Sequence, residues 1–139
     1  MSARSKARKR ALDALYASAV RPEGALQLLS ETQVEVEDRQ NQEAIFDYAE
    51  MLLTGYLENA EQIDTQLRML ADNWSLERMP NVDRAILQLA AWEILFNDEV
   101  PSEVAIAEAV ALASEYSTDD SPKFINGVLA KLSKGSVAL

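Results

Sequence analysis

From Ala85 to Phe96 the sequence reads AILQLAAWEILF, a stretch that is apolar nearly all the way round at helical spacing. A helix without a polar face has to be enclosed by other elements, so this segment predicts a buried central helix with the rest of the chain built around it. Arg84 and Glu93 are the charges read as interior to it. The rest of the chain supplies its neighbours as more helices. Apolar residues recur three and four apart along most of it, and the four glycines and four prolines fall mostly between those periodic stretches.

Seven helices are predicted. The first covers residues 3–20, with Ala11, Leu12, Leu15, Tyr16 and Ala19 as its stripe, and stops before Pro22. The second covers 23–30 and is followed by the polar stretch 31–41, read as a solvated loop. The third, 42–56, puts Ile45, Tyr48, Ala49, Leu52 and Leu53 on one face, and the fourth, 58–72, does likewise with Ile63, Leu67 and Leu70. Gly55 is read as the bend between them, and Trp74 as a joint between two helical subbundles. The central helix begins after Pro80 and Asn81, with Asp83 in a first turn where a negative charge is favourable. The sixth opens at Pro101 and Ser102 and mixes Val104, Ile106, Ala109, Val110, Leu112 and Ala113 for close packing. The run TDDSP starts the seventh, with Ser121 as its cap and Pro122 at the first helical position. Ile125, Val128, Leu129 and Leu132 are its buried face. Gly127 costs about 1 kcal/mol relative to alanine inside a helix, so it is read as a close approach of another helix to which Asn126 bonds. With no strand pattern, repeat or linker, the expectation is a single all-α domain over residues 1–139.

The chain contains no cysteine and no histidine, which removes disulfides, thiolate chemistry, the commonest metal ligand and the commonest general base. No metal, no cofactor and no catalytic residue are expected, and Glu93 is read as a paired acid satisfying a helix end or an arginine such as Arg84 or Arg78. The basic amino terminus is not followed by the apolar run of a signal peptide, and nowhere do eighteen apolar residues stand together. A cytoplasmic protein without membrane contact is expected. The formal net charge is −10, yet Arg4, Lys6, Arg8, Lys9 and Arg10 all precede the first acid, Asp13. A basic arm on an acidic body repels bulk nucleic acid and confines RNA contact to one place.

Three stretches together carry a resemblance: KARKRALDALY near the amino terminus, LERMPNVDRAILQLAAWEIL in the centre, and VPSEVAIAEAVALASEYSTDDSPKFINGVL towards the end. In order, spacing and total length they resemble the NusB family over most of the chain. Ala107 departs from the asparagine that many members carry in an INEAV segment. The resemblance implies two packed helical bundles and a non-enzymatic antitermination factor supporting processive transcription of ribosomal RNA operons. It implies binding to single-stranded boxA RNA with NusE, a small-subunit ribosomal protein, and delivery to the RNA polymerase elongation complex. Some members form homodimers. Two other functions are weighed. One is the RNA-binding domain of a ribosomal RNA methyltransferase, for which the chain offers neither a glycine-rich loop after a strand nor a cysteine nucleophile. The other is a purely structural helical dimer in which the basic arm binds the acids of a second subunit; a dimer that buries the basic helix would compete with RNA.

For the RNA site, Arg4, Lys6, Arg8, Lys9 and Arg10 are phosphate contacts on the functional reading and a solvated terminus on the bland one. At helical spacing Lys6, Lys9 and Arg10 share a face, and Arg4 and Arg8 point elsewhere. Phe124 beside Lys123 is either a base-stacking platform with an adjacent phosphate contact or a core residue. Asp120 is either helix-end electrostatics or an acceptor for a base edge. Tyr16 has its ring in the core or its hydroxyl reaching RNA or the partner. Glu77 and Asp83 are read as an acidic patch for a basic ribosomal protein.

Overall fold

In a computed structural model, described for residues 2–35, 42–71 and 75–135, seven helices follow one another: α1 (Ala3–Ser18), α2 (Ala25–Glu35), α3 (Gln42–Glu58), α4 (Ala60–Leu70), α5 (Asn81–Phe96), α6 (Ser102–Tyr116) and α7 (Ser121–Gly135). The described residues contain no strand. As its sequence requires, α5 is the hub, packed against α1, α3, α4, α6 and α7. Around it α1, α2 and α3 pack on one another, and α6 packs on α7, which also meets α4. One cluster of buried apolar side chains draws on all seven helices, with Leu52, Leu53, Leu67, Leu87, Leu129 and Leu132 among its fully enclosed members. Each such side chain contributes roughly 1.5–3 kcal/mol relative to exposure. Along α6 the buried positions are Ala105, Ala109 and Ala113, four residues apart, so a row of methyl groups lets that helix lie close to its neighbours.

Several boundaries and roles differ from the sequence reading. The second helix runs through residues 31–35, where the sequence predicts a loop. Leu28 and Leu29 anchor it, and Gln27 reaches Glu31 one turn on at 3.2 Å. Residues 36–41, the rest of that stretch, and Trp74, the expected joint, lie outside the described residues. Gly55 is not a bend but an interior residue of α3, and the chain breaks at Asn59, whose side-chain amide donates to the Gly55 carbonyl at 2.8 Å. A Cβ on Gly55 would stand 2.1 Å from Trp92 Cε2, so the glycine is required by the indole ring of α5 lying against α3. Gly127 shows the reverse. Nothing lies within 4 Å of a Cβ built there, and Asn126 is exposed, so neither marks a helix approach. Among the described residues no helix is long and apolar enough to cross a membrane, and no group of acids forms a metal-binding cluster.

Candidate nucleic-acid interface

The rotation of α1 decides which of its five cations meets solvent. Ser2 caps the helix by accepting from the Ser5 amide at 3.1 Å, and Ala7, Ala11, Leu12 and Ala14 are buried against the body. Arg8 lies on this buried side, only 6 % exposed. Its guanidinium grips Glu93 of α5 with two parallel bonds, Nε to Oε1 and Nη2 to Oε2, both 2.9 Å, and donates through Nη1 to Glu108 of α6 at 2.8 Å. Glu93 is 2 % exposed and also accepts from the Tyr48 hydroxyl of α3, which in turn accepts from Asn97 Nδ2 at 3.0 Å. Burial alone would lower the basicity of Arg8, but its bond to Glu93 and the charges of Glu93 and Glu108 outweigh it and raise its pKa. Burial first, and Glu93 second, push the Tyr48 hydroxyl well above the ordinary tyrosine range. Arg8 is therefore removed from the set of phosphate contacts: a guanidinium bonded inside the body by two carboxylates has no free donor face for RNA. The partner of Glu93 is Arg8 of a distant helix, not Arg84 or Arg78. Arg84, only partly buried, bonds to the Leu76 carbonyl at 3.1 Å and Asn81 Oδ1 at 2.6 Å instead.

The other four cations remain at the surface. Lys6 is exposed and its ammonium has no partner among the described residues. Lys9 pairs with Asp13 and stands 4.4 Å from the Tyr116 ring at the end of α6. Arg10 lies 5.3 Å from the Phe46 ring on the α3 side. Lys6 thus forms the crest of the outer face, flanked by Lys9 and Arg10, in agreement with the helical spacing. Arg4 points elsewhere, to Glu99 at 3.0 Å and over the Tyr48 ring at 5.0 Å. Tyr16 is 42 % exposed on the same outer side as Lys9, which rules out a core role for its ring.

The second group of residues sits where α6 ends and α7 begins. Asp83 is 4 % exposed, and its two oxygens accept from the hydroxyls of Ser117 and Ser121, the latter at 2.8 Å. Thr118 Oγ1 lies 2.8 Å from Ser121 Oγ. These bonds tie the loop before α7 onto the first turn of α5. They also correct two expectations. Asp83 faces inward and cannot be part of an acidic docking patch, and the Ser121 hydroxyl turns to Asp83. Glu77 is exposed, but pairs with Arg68 at 2.9 Å. Asp120 and Lys123 project from the tethered corner into solvent, while Phe124 is half-buried and packs one side on the core. Phe124 borders a cleft of ≈ 460 Å³ between this corner and the turn that leads into α5.

The two groups are neighbours. Lys9 touches Tyr116, and Tyr116 precedes Asp120 by four residues, a Cα path of at most about 15 Å. One short strand can span both. The sequence gives no sign of the roles of Glu108 and Ser117, and it places Tyr48 only in an apolar stripe and Ser121 only at a helix cap, not in bonds to Glu93 and Asp83. For Glu93 a signal existed: a carboxylate inside an apolar helix requires a cation, and Arg8 lies one turn before Leu12 and so shares its buried stripe.

The NusB family model matches residues 5–134. The chain is 50 % identical over 137 residues to a transcription antitermination protein NusB of Leifsonia xyli subsp. xyli, covering 96 % of this chain and 93 % of that one. It is 46 % identical over 139 residues to a protein of the same name from Nocardioides sp., covering 100 % and 99 %. Among solved structures, T. maritima NusB superposes with a TM-score of 0.84 at 34 % identity over 95 % of this chain and 91 % of that one. A chain from a crystal structure of the antitermination factors NusB and NusE in complex with dsRNA superposes with a TM-score of 0.82 at 26 % identity, covering 96 % and 98 %.

Proposed function

The chain belongs to the NusB family, and from that premise we propose that it is a transcription antitermination factor that binds single-stranded boxA-type RNA together with NusE. The work is binding and assembly; no bond is made or broken. The observation that carries the reading is the outer face of α1, where Lys6, Lys9 and Arg10 remain at the surface of an otherwise acidic chain and lead through Tyr116 to the Asp120–Lys123–Phe124 corner. Phosphates are held along α1 and by Lys123, a base stacks on the free side of Phe124, and Asp120 accepts from a base edge. Arg4 is a peripheral contact that has to leave Glu99 before it can meet a phosphate. The NusB–NusE–RNA assembly of the solved relative supports the pairing with NusE, and recruitment to elongating RNA polymerase completes the role.

The test is fluorescence anisotropy with a boxA-like RNA, with and without NusE, at several salt concentrations. Three or four phosphate contacts give a slope of log affinity against log salt of about −2 to −3, from roughly 0.7 per contact for a single strand. NusE should tighten binding. A salt-independent affinity, or equal affinity for a duplex of the same sequence, overturns the reading.

A further inference from the structure

The cleft of ≈ 460 Å³ has one lip that the RNA track described above does not use. Arg78 stands there, in the turn before α5, exposed, its amide bonded to the Ser75 carbonyl at 3.1 Å and its guanidinium without an ion pair or hydrogen bond among the described residues. Its charged neighbours are engaged: Arg68 with Glu77, and Arg84 with Asn81 and the Leu76 carbonyl. In a chain with 23 acids and 13 basic residues, an unpaired guanidinium at the rim of a cleft is a cation left available to an outside anion. Buried Met79, Pro80 and half-buried Phe124 give the cleft its apolar lining; Thr118 and Asp120 supply polar groups on the opposite segment, and the Asp83 carboxylate that also borders it is taken up by the hydroxyls of Ser117 and Ser121.

We propose that this cleft takes one nucleotide of the bound single strand and that Arg78 holds its phosphate, extending the RNA track from α7 across to the turn before α5. The proposal rests on the RNA-binding reading above. A volume of this size exceeds that of a base and accommodates a nucleotide with its phosphate. The two lips differ in sign, which orients the strand. The Asp120 carboxylate repels phosphate and accepts from base N–H groups, so the base edge faces α7 and the backbone lies against Arg78. The fork of the guanidinium matches two phosphate oxygens, whereas the ammonium of a lysine there would act only as a point charge.

The test uses the full chain and a single-stranded boxA-like RNA. Arg78→Ala is compared with Arg21→Ala, which removes another exposed cation, in the bend after α1, and changes the net charge by the same amount. Loss of one single-strand phosphate contact should make the salt slope shallower by about 0.7 and weaken binding about fivefold at 0.1 M salt. Arg78→Lys should recover only part of the loss. A series of RNAs carrying one neutral methylphosphonate each should contain a position that weakens the parent protein but not Arg78→Ala. If Arg78→Ala and Arg21→Ala bind RNA alike and no such position exists, the Arg78 contact is refuted while the RNA reading stands. If only NusE binding responds to Arg78→Ala, the cleft is a protein surface and the proposal fails. Absence of RNA binding by the parent protein removes both readings.

Discussion

Replacing Arg8 by methionine separates the two roles open to a cation of α1. Arg8 makes three bonds to carboxylates, two of them to Glu93, which has almost no access to water. Without Arg8 the Glu93 carboxylate keeps, among the described residues, the Tyr48 hydroxyl as its one side-chain partner. Removing one member of a buried ion pair costs about 3–5 kcal/mol, because the other is left charged and uncompensated. For 139 residues, with an unfolding entropy of roughly 2.1 cal/mol/K each, that loss lowers the melting temperature by roughly 10–17 °C. Lys6→Ala, which touches no partner, should leave the melting temperature within about 2 °C, since surface changes stay within roughly 0.5 kcal/mol, and weaken RNA binding instead. The double variant Arg8→Met with Glu93→Leu leaves the net charge unchanged and no charge at the two fully buried positions; Glu108, partly open to solvent, keeps the Ser5 hydroxyl as a donor. This variant should recover most of the lost stability and bind RNA as the parent does. Thermal melts followed by far-UV circular dichroism, paired with RNA anisotropy well below the transition, read both quantities. The reasoning is refuted if Arg8→Met melts with the parent while losing RNA affinity in the manner of Lys6→Ala.

The two helical glycines should respond in opposite directions: Gly55→Ala drives a methyl into the Trp92 ring and destabilises by about 1–3 kcal/mol with a change in tryptophan fluorescence, whereas Gly127→Ala meets nothing and stabilises by about 0.5–1 kcal/mol in a urea titration. Phe124→Ala should weaken RNA binding by about 1–3 kcal/mol of stacking; because the ring is half-buried, a modest fall in melting temperature accompanies it, and unchanged RNA affinity would return Phe124 to a purely structural role. At high pH the protein should lose stability through its buried tyrosines. Burial and then Glu93 raise Tyr48, and burial and then Asp64 raise Tyr56, so both folded-state values lie above the unfolded ones. Their contribution is intact below about pH 10 and is lost as pH climbs from there towards the folded values, at up to about 1.4 kcal/mol per pH unit for each. Tyr48→Phe and Tyr56→Phe should each flatten the alkaline limb of the stability curve.

The helices were legible wherever burial follows a helical period, as in the stripes of Ile45, Ala49 and Leu52 and of Ile125, Leu129 and Leu132, because local spacing alone fixes which side faces the core. The second helix was cut short at residue 30 because the residues after it are polar. A surface helix held by Leu28 and Leu29 at one end needs no further apolar residue to continue for a turn. Charges are less legible. Asp83 sits in a first helical turn where an exposed acid is the ordinary expectation, and its partner 34 positions away shows that it points inward; Arg8 sits in a run of cations, and its place on the stripe of Leu12 gains meaning only with the buried Glu93 85 positions away. Gly55 and Gly127 look alike in one dimension. What distinguishes them is the Trp92 ring on another helix, a tertiary fact that spacing within either helix does not encode.

The bonds from Arg8 to Glu93 and Glu108 also set the limits of modularity in this chain. A peptide spanning α1 would carry all five cations but present them with no fixed rotation, since at 16 residues a helix is only marginally stable in water and this one is oriented by docking. Grafted onto another scaffold, the same segment would expose Arg8 and display a different pattern of charge. A single substitution of Glu93, deep in α5, strands Arg8 in the body and should consequently register as an RNA-binding defect in a genetic screen, whereas the paired change of Arg8 and Glu93 should not. The unit that evolution can exchange is the basic helix together with the carboxylates that turn it.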